Sequence, residues 1–253
     1  MQPGVGGQSA SRVRFEWGPT GAGAVLSCCD VAVVVDVLSF TTTLTVAADR
    51  GIGVLPCAWR DGRAAALGRR HGAVVALPRA QAGPGQVSLS PASVRHCSGV
   101  SRLVLPSPNG STISAQLTTA GCEVVAASLR NRRAVARRLL ERARNEPGMT
   151  VAVIAAGERW PDGSLRPAVE DLWGAGAVLA DLTAAGWTGV SPEGHAAAAA
   201  LRAVSTELAN ALAECTSGQE LVEMGYRDDV DTAAELDSST TVPRLVGNSF
   251  TAR

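Results

Sequence analysis

Residues 31–45 read VAVVVDVLSFTTTLT, and this stretch decides the fold. The apolar, mostly β-branched run Ala32–Val35 is typical of a strand that is buried on both faces of a parallel sheet. Asp36 follows where that strand should leave the sheet, and the hydroxyl residues at 39 and 41–43 can cap a helix that starts there. A carboxylate facing the free N–H groups of a helix start suits a metal-bridged phosphate. The spacing is equally compatible with a capped turn in which Asp36 only satisfies backbone donors.

Strand and helix patterns alternate about five times along the rest of the chain. This alternation predicts a three-layer α/β/α fold whose sheet is mainly parallel, or mixed if some strands run antiparallel. Residues 1–12 are predicted to be a flexible N-terminus, and residues 13–253 a single domain that is helical from about residue 190. Other predicted strands are Val13–Trp17, Gly53–Ala58, Ala73–Leu77, Arg102–Leu105, Glu123–Ala127, Thr150–Ala156 and a final one within Thr241–Phe250. Predicted helices are Arg60–Arg70, one ending near Ala120, Asn131–Arg144, Pro167–Ala184, 194–214, 217–224 and 228–236, with loops over Gly18–Gly23 and Pro78–Ser101.

Composition excludes several classes of function. The formal net charge is zero and no basic run is present, which argues against nucleic acid or an anionic membrane as a partner. The sequence contains no lysine, so all 23 basic residues are arginine and no P-loop or Schiff-base lysine exists. The six cysteines form no CxxC pair, and no apolar run is long enough to span a membrane. With no recognisable signal peptide, these features predict a cytoplasmic protein with reduced thiols.

Polar residues collect where the predicted strands run into helices. If the sheet is parallel, those connections lie at one edge, where ligands bind in open α/β folds. The first connection contributes Asp36 and Thr41–Thr43. The second contributes Asn109, Gly110 and Ser111, which resemble an anion cradle but also fit an ordinary Asn-Gly turn. The others contribute residues 128–131 and 157–159 and the acidic pair at 170–171.

Glu170 and Asp171 stand in the first turns of a predicted helix. Adjacent helical residues do not share a face, so only one of the two is expected to reach a metal directly. Complementarity with the helix dipole would place acids there in any case. Two carboxylate sites with an amide oxygen and waters suit Mg²⁺. The sequence lacks the motif of haloacid-dehalogenase-type phosphatases, and it has no GxSxG or GxGxxG motif after a predicted strand.

These segments resemble the 2-phosphosulfolactate phosphatase family, Mg²⁺-dependent enzymes of coenzyme M biosynthesis. The family's DVLRATTT-like segment is similar to residues 36–43, and its TTNGT-like loop is similar to 107–111. Its SLxN element is similar to Ser128–Asn131, and its glycine and later ED pair to Gly157 and Glu170-Asp171. The order and spacing hold from about residue 30 to 245.

The resemblance implies a Mg²⁺-dependent phosphatase that acts on a small phosphorylated acid, nominally 2-phosphosulfolactate, and it leaves a homo-oligomer open. It implies catalytic roles for Asp36, Asn109 and Asp171, and metal binding by Asp36 with Glu170 or Asp171. Phosphate contacts are expected from Thr41, Thr42, Thr43, Gly110, Ser111 and Asn131.

The chain departs from the family pattern at several positions. Ser39 replaces an arginine, Leu77-Pro78 replaces a glycine-glutamate pair, and Leu89 replaces the asparagine of an NSP tripeptide. The alternative reading is therefore a catalytically degenerate relative that binds a small anion or a partner protein. An arginine that reaches the same cavity, with Arg79, Arg130 and Arg159 as the candidates, would favour an enzyme with shifted specificity.

Overall fold

The computed structural model describes residues 8–25, 29–58, 62–118 and 121–252. The strands are β1 Val13–Trp17, β2 Val31–Val35, β3 Gly53–Cys57, β4 Val74–Val75, β5 Arg102–Pro106, β6 Glu123–Ala127, β7 Val151–Ala155, β8 Glu158–Arg159, β9 Leu165–Arg166, β10 Arg244–Val246 and β11 Ser249–Thr251. The helices are α1 Gly18–Val25, α2 Phe40–Asp49, α3 Gly62–His71, α4 Pro91–His96, α5 Gly110–Thr118, α6 Arg132–Asn145, α7 Val169–Ala184, α8 Pro192–Val204, α9 Leu208–Glu214, α10 Thr216–Glu223 and α11 Arg227–Ala233.

The central strand β2 is buried on both faces, as its sequence predicts. Its alternate side chains point to opposite faces, so Val33 packs into one apolar cluster and Val34 into another. The first cluster includes buried residues of α6, α7 and α8, and the second includes buried residues of α1, α2 and α5. Two cores on the two faces of one sheet make three layers, which confirms the predicted α/β/α class.

Among the described residues, the main sheet has the strand order β1-β7-β2-β6-β10-β11-β3-β5-β4. The strands β1, β7, β2 and β6 pair in parallel, and so do β3, β5 and β4. The hairpin β10-β11 joins these two parallel halves by antiparallel pairing with β6 and β3. The sheet is therefore mixed, and the final strand expected within Thr241–Phe250 is a hairpin rather than a single strand.

Two predicted loops contain helices. The glycine-rich stretch at 18–23 belongs to α1, because burial of Ala22 and Val25 in the second core outweighs its weak helix propensity. The predicted loop Pro78–Ser101 contains α4. Its Ser90-Pro91 pair is a start signal: the Ser90 hydroxyl caps the Ser93 N–H, and proline occupies the first turn.

The single helix predicted over 194–214 is wrong. The structure has α8 and α9 there, separated by residues 205–207. The break lets Leu208 and Leu212 turn into the first core, where both are buried. The predicted strand Ala73–Leu77 is also shortened, to Val74–Val75 at the sheet edge.

Several expectations fall outside the described residues. These are the flexibility of residues 1–7, the thiol of Cys28, the first residues of the helix predicted from Arg60, and the end of the helix predicted to reach Ala120. The division into a flexible terminus and one domain stays a prediction. Within the described ranges, every helix is too short or too polar to cross a membrane.

Glu235 fastens the C-terminal region to the long 78–101 connection. Its carboxylate accepts two hydrogen bonds from Arg95, at 2.6 and 2.7 Å, and one from Arg130, at 3.2 Å. The hydrogen bonds from Arg95 are the main reason that the pKa of Glu235 lies below its usual value of 4.5. A carboxyl with a lowered pKa stabilises the fold above its usual pKa, and this contribution is lost as the pH falls below that value.

We therefore expect Glu235→Gln to lower the free energy of unfolding at pH 7 by less than about 1 kcal/mol, because partly exposed pairs are screened by solvent. Urea unfolding of both proteins at pH 7 and pH 3 checks this. The two proteins should differ at pH 7 and converge at pH 3. A difference that persists at pH 3 would contradict the assignment to the ionised carboxylate.

Candidate active site

A small cavity of about 120 Å³ lies at the carboxyl ends of the parallel strands. Four strands separate β2 from β5 in the sheet, yet the residues that follow these two strands meet here. The cavity is lined by Asp36, Leu38, Ser39, Phe40, Arg79, Leu89, Leu105, Ser107, Pro108, Asn109 and Glu158. The prediction that strand-to-helix connections converge at one edge is confirmed for these residues.

Asp36 joins the two parallel halves of the sheet at the cavity. One carboxylate oxygen accepts the N–H of Phe40 at 3.0 Å, and the other accepts the N–H of Gly110 at 2.9 Å. These donors are the first residues of α2 and α5, so two helix N-termini face one carboxylate. Burial nevertheless raises the pKa of Asp36 to about 7, with a further contribution from Glu158, and the two backbone donors oppose this rise.

Glu158 is a site residue to which the sequence reasoning gave no role. Its carboxylate accepts a hydrogen bond of 2.9 Å from the side-chain amide of Asn109. Burial raises its pKa, the Asn109 amide lowers it, and the neighbouring Glu170 raises it again. The available signal was its place as the first acid after β7, two residues beyond Ala156. Asp36, Asn109 and Glu158 thus form one polar cluster in the cavity wall.

Asp171 lies beside this cluster but not in the cavity wall. Its carboxylate accepts the N–H of Val37 at 2.6 Å and the N–H of Gly157 at 2.8 Å. It therefore clamps together the chain segments that leave β2 and β7, where Gly157 has a positive φ of 66°. Burial raises the pKa of Asp171 well above its usual value, and Asp36 and Glu170 raise it further.

Glu170 points away from Asp36's cavity, towards a neighbouring one. That second cavity is lined by residues of the β8-β9 region and of α10, and Glu158 belongs to both cavities. The thiol of Cys215 is 3.5 Å from a Glu170 oxygen, and burial followed by this carboxylate raises the pKa of Cys215 to about 12. The structure thus separates the two acids of the pair, as the geometry of adjacent helical residues requires.

The hydroxyls predicted to bind phosphate have backbone partners. Thr41 donates to the carbonyl of Asp36, Thr42 to that of Val37 and Thr43 to that of Ser39, each at 2.8 Å. All three threonines are buried and outside the cavity wall. They shape the turn from β2 into α2, and their contact with phosphate stays a prediction that this geometry does not favour.

The other predicted phosphate contacts, Gly110, Ser111 and Asn131, are not in the cavity wall either, and the Gly110 N–H is donated to Asp36. Ser111 donates to the carbonyl of Leu105 at 3.1 Å. The Asn131 side chain accepts the N–H of Ser128 and donates to the carbonyls of Ala126 and Thr241. Asn131 is fully buried and ties β6 to the C-terminal tail, so its contacts here are structural.

Arg79 is the cation in the wall of this cavity among the residues that the structure describes. Its Nε donates to Asp229 at 2.7 Å, and its Nη2 donates to the Ser39 hydroxyl. The other two candidate arginines are elsewhere: Arg130 pairs with Asp49 and Glu235, and Arg159 donates to the Gly163 carbonyl. Of the three, the structure brings Arg79 to the site.

The donor set fits a hard divalent cation. Asp36, Glu158 and Asn109 offer only oxygen ligands, and the raised pKa values of both acids show that extra positive charge would be favourable there. No three acidic, histidine or cysteine side chains in the described ranges converge closely enough to enclose an ion. Mg²⁺ retains several waters, so two carboxylates and an amide are an adequate set.

The chain is similar to known proteins over most of its length. A family model described as 2-phosphosulpholactate phosphatase matches residues 24–248. A "Probable 2-phosphosulfolactate phosphatase" of Deinococcus radiodurans is 30% identical over 227 residues, covering 86% of this chain and 88% of the relative. A protein with the same description from Parasynechococcus marenigrum is 31% identical over 229 residues, covering 85% of this chain and 88% of the relative.

Proposed function

Because this chain belongs to the 2-phosphosulfolactate phosphatase family and is thus a phosphoric monoester hydrolase, we propose that it hydrolyses a small phosphorylated acid with Mg²⁺, nominally 2-phosphosulfolactate. The observation that carries this proposal is the cavity whose wall contains Asp36, Glu158 and Asn109 together with Arg79. Two carboxylates suit a metal that binds phosphate, and the arginine suits an anionic substrate.

Asp36, Glu158 and the side-chain oxygen of Asn109 are the residues that would hold Mg²⁺. When bound, the ion supplies positive charge that stabilises the phosphoryl group during its transfer to water. The backbone donors of Phe40 and Gly110 fix the Asp36 carboxylate, so the charge is held in place before the substrate arrives. The amide of Asn109 orients Glu158 in the same way.

The wall of the cavity combines this polar cluster with apolar side chains. Leu38, Leu89 and Leu105 lie in it beside Phe40. An apolar wall lowers the local dielectric, which strengthens each electrostatic contact with the phosphoryl group. Phosphoryl transfer needs little covalent help from a protein, so positioning and charge can supply most of the catalysis.

The test is phosphate release from 2-phosphosulfolactate and related phosphorylated acids, with Mg²⁺ and with EDTA. We expect release with Mg²⁺ and its loss with EDTA. A second readout is thermal unfolding, because Mg²⁺ at about 100 times its Kd should raise the free energy of unfolding by about 2.7 kcal/mol. Release that is insensitive to EDTA would contradict the metal. No release together with no effect of Mg²⁺ on unfolding would favour the degenerate anion-binding or partner-binding relative.

A further inference from the structure

Arg79 is held in one orientation by three neighbours. Its Nε donates to Asp229, its Nη2 donates to the Ser39 hydroxyl, and its guanidinium lies over the ring of Tyr226, 5.7 Å from the centroid. A long side chain normally loses much rotamer freedom when it binds a ligand. Here these contacts have already ordered the arginine, so less freedom remains to be lost on binding.

Asp229, the acid that holds Arg79, is itself fixed. It is 1% exposed, and one of its carboxylate oxygens accepts the Ser90 hydroxyl and the N–H of Ala92 at 3.3 Å. The pair therefore connects α11, the start of α4 and the turn at Arg79–Gln81. An ion pair with this many buried contacts is more rigid than a surface pair.

The rest of the guanidinium is available to a ligand. Within the described ranges, no residue accepts a hydrogen bond from Nη1 of Arg79, and the side chain, which is 18% exposed, lines this cavity and a neighbouring one beside Tyr226. A planar guanidinium with open donors matches the paired oxygens of a carboxylate or sulfonate. The other charged groups in the wall are the acids Asp36 and Glu158, so Arg79 gives the cavity its attraction for an anion.

We propose that Arg79 binds the acid group of the substrate that is not transferred, a carboxylate or a sulfonate, and so selects phosphorylated acids over simple phosphate esters. This inference rests on the proposed function. Arg79 contacts Ser39, whereas Asn109 and Glu158 contact each other, and the Asp36 carboxylate lies between, bound to the N–H of Phe40 next to Ser39 and to that of Gly110 next to Asn109. The phosphoryl group belongs beside the metal ligands, and its attached acid group reaches Arg79.

The first experiment compares wild type, Arg79→Met and Arg79→Lys on three phosphate esters. These are 2-phosphosulfolactate, 2-phospholactate and isopropyl phosphate, which has no second acid group. We expect Arg79→Met to raise KM for an acid substrate by about 10- to 100-fold, as for a lost charge-assisted pair, and to leave isopropyl phosphate within about twofold. A large effect on 2-phosphosulfolactate alone identifies the sulfonate as the bound group, whereas similar effects on both acids, without one on isopropyl phosphate, identify the carboxylate.

Arg79→Lys keeps the charge but not the planar fork, so its effect should be intermediate, and it serves as the test variant if Arg79→Met does not fold. Arg69→Met is the matched control, because Arg69 is exposed on α3 and outside the cavity. Equal losses on all three esters would overturn the proposal, since they would place Arg79 at the transferred phosphoryl group or in a purely structural role. An unchanged KM would also overturn it.

The second experiment separates this inference from the proposed function. Titration calorimetry measures the binding of 3-sulfolactate and lactate, which carry the acid groups but no phosphate. Wild type should bind at least one of them, and Arg79→Met should bind it at least about tenfold more weakly. Such binding without phosphate release would support the Arg79 subsite and overturn the hydrolase. Failure of wild type to bind either anion would overturn the subsite, even if phosphate release is observed.

Discussion

Asp36→Asn is expected to lower Mg²⁺-dependent phosphate release by about 10³-fold, comparable with the loss of a main electrostatic contact to the transition state. The substitution removes a negative charge from the cavity wall. It also places an amide N–H₂ against a backbone donor, because both carboxylate oxygens of Asp36 accept N–H groups. Steady-state phosphate release by both proteins measures the effect.

Asp30→Asn is the control for this comparison. Asp30 directly precedes β2, at the opposite end of the strand from Asp36, where its carboxylate is exposed and accepts hydrogen bonds from Thr150. Its replacement should leave phosphate release within about twofold, as for surface changes away from a site. Retention of more than about a tenth of wild-type activity by Asp36→Asn would contradict a catalytic role for that carboxylate.

Asp36→Asn also changes how the stability of the metal-free protein depends on pH. The pKa of Asp36 rises from its usual value of 3.8 to about 7 in the fold, so the folded state holds this proton more tightly than the unfolded state does. Stability from this group is then fully present below pH 4 and declines as the pH rises towards about 7. Unfolding in EDTA should show this decline in wild type and a smaller one in Asp36→Asn.

Local pattern was sufficient to predict the centre of the fold. The apolar run of β2 is buried, and Asp36 leaves the sheet where the strand ends. The rule that parallel strands end at one edge then placed Asn109 beside Asp36, although 73 positions separate them in the sequence. These inferences held because each depends on neighbours in sequence or on the direction of a strand.

The contacts that complete the site depend on tertiary packing. Arg79 and Asp229 are 150 residues apart, and neither position has a local signal that predicts the pair. The hairpin β10-β11 also has no pattern that would place it between the two parallel halves. Tertiary and local contacts also explain the threonines after Asp36. Hydroxyls near a helix start suit phosphate, but in the folded chain these hydroxyls donate hydrogen bonds to nearby backbone carbonyls.

Gly110→Ala should disrupt both stability and activity, because the backbone of α5 approaches Asp36 too closely for a side chain. A methyl group there would collide with the ring of Phe40 and lie 2.8 Å from a carboxylate oxygen of Asp36. Phe40 has little room to yield, since it is buried and packs edge-on against Phe250 with the ring centroids 6.1 Å apart. We expect a loss of about 1–3 kcal/mol in the free energy of unfolding, as in other overpacked cores. A shift of Asp36 by about 1 Å would lower phosphate release by about 10²-fold.

Gly62→Ala is the matched control for Gly110→Ala. Gly62 also begins a helix, α3, but a methyl group there would meet no atom of the described residues within 4 Å. Its replacement should stabilise the protein by about 0.4–1 kcal/mol, because alanine reduces the freedom of the unfolded chain. If Gly110→Ala instead matched Gly62→Ala in stability and phosphate release, the close approach of α5 to Asp36 would not be what positions the carboxylate.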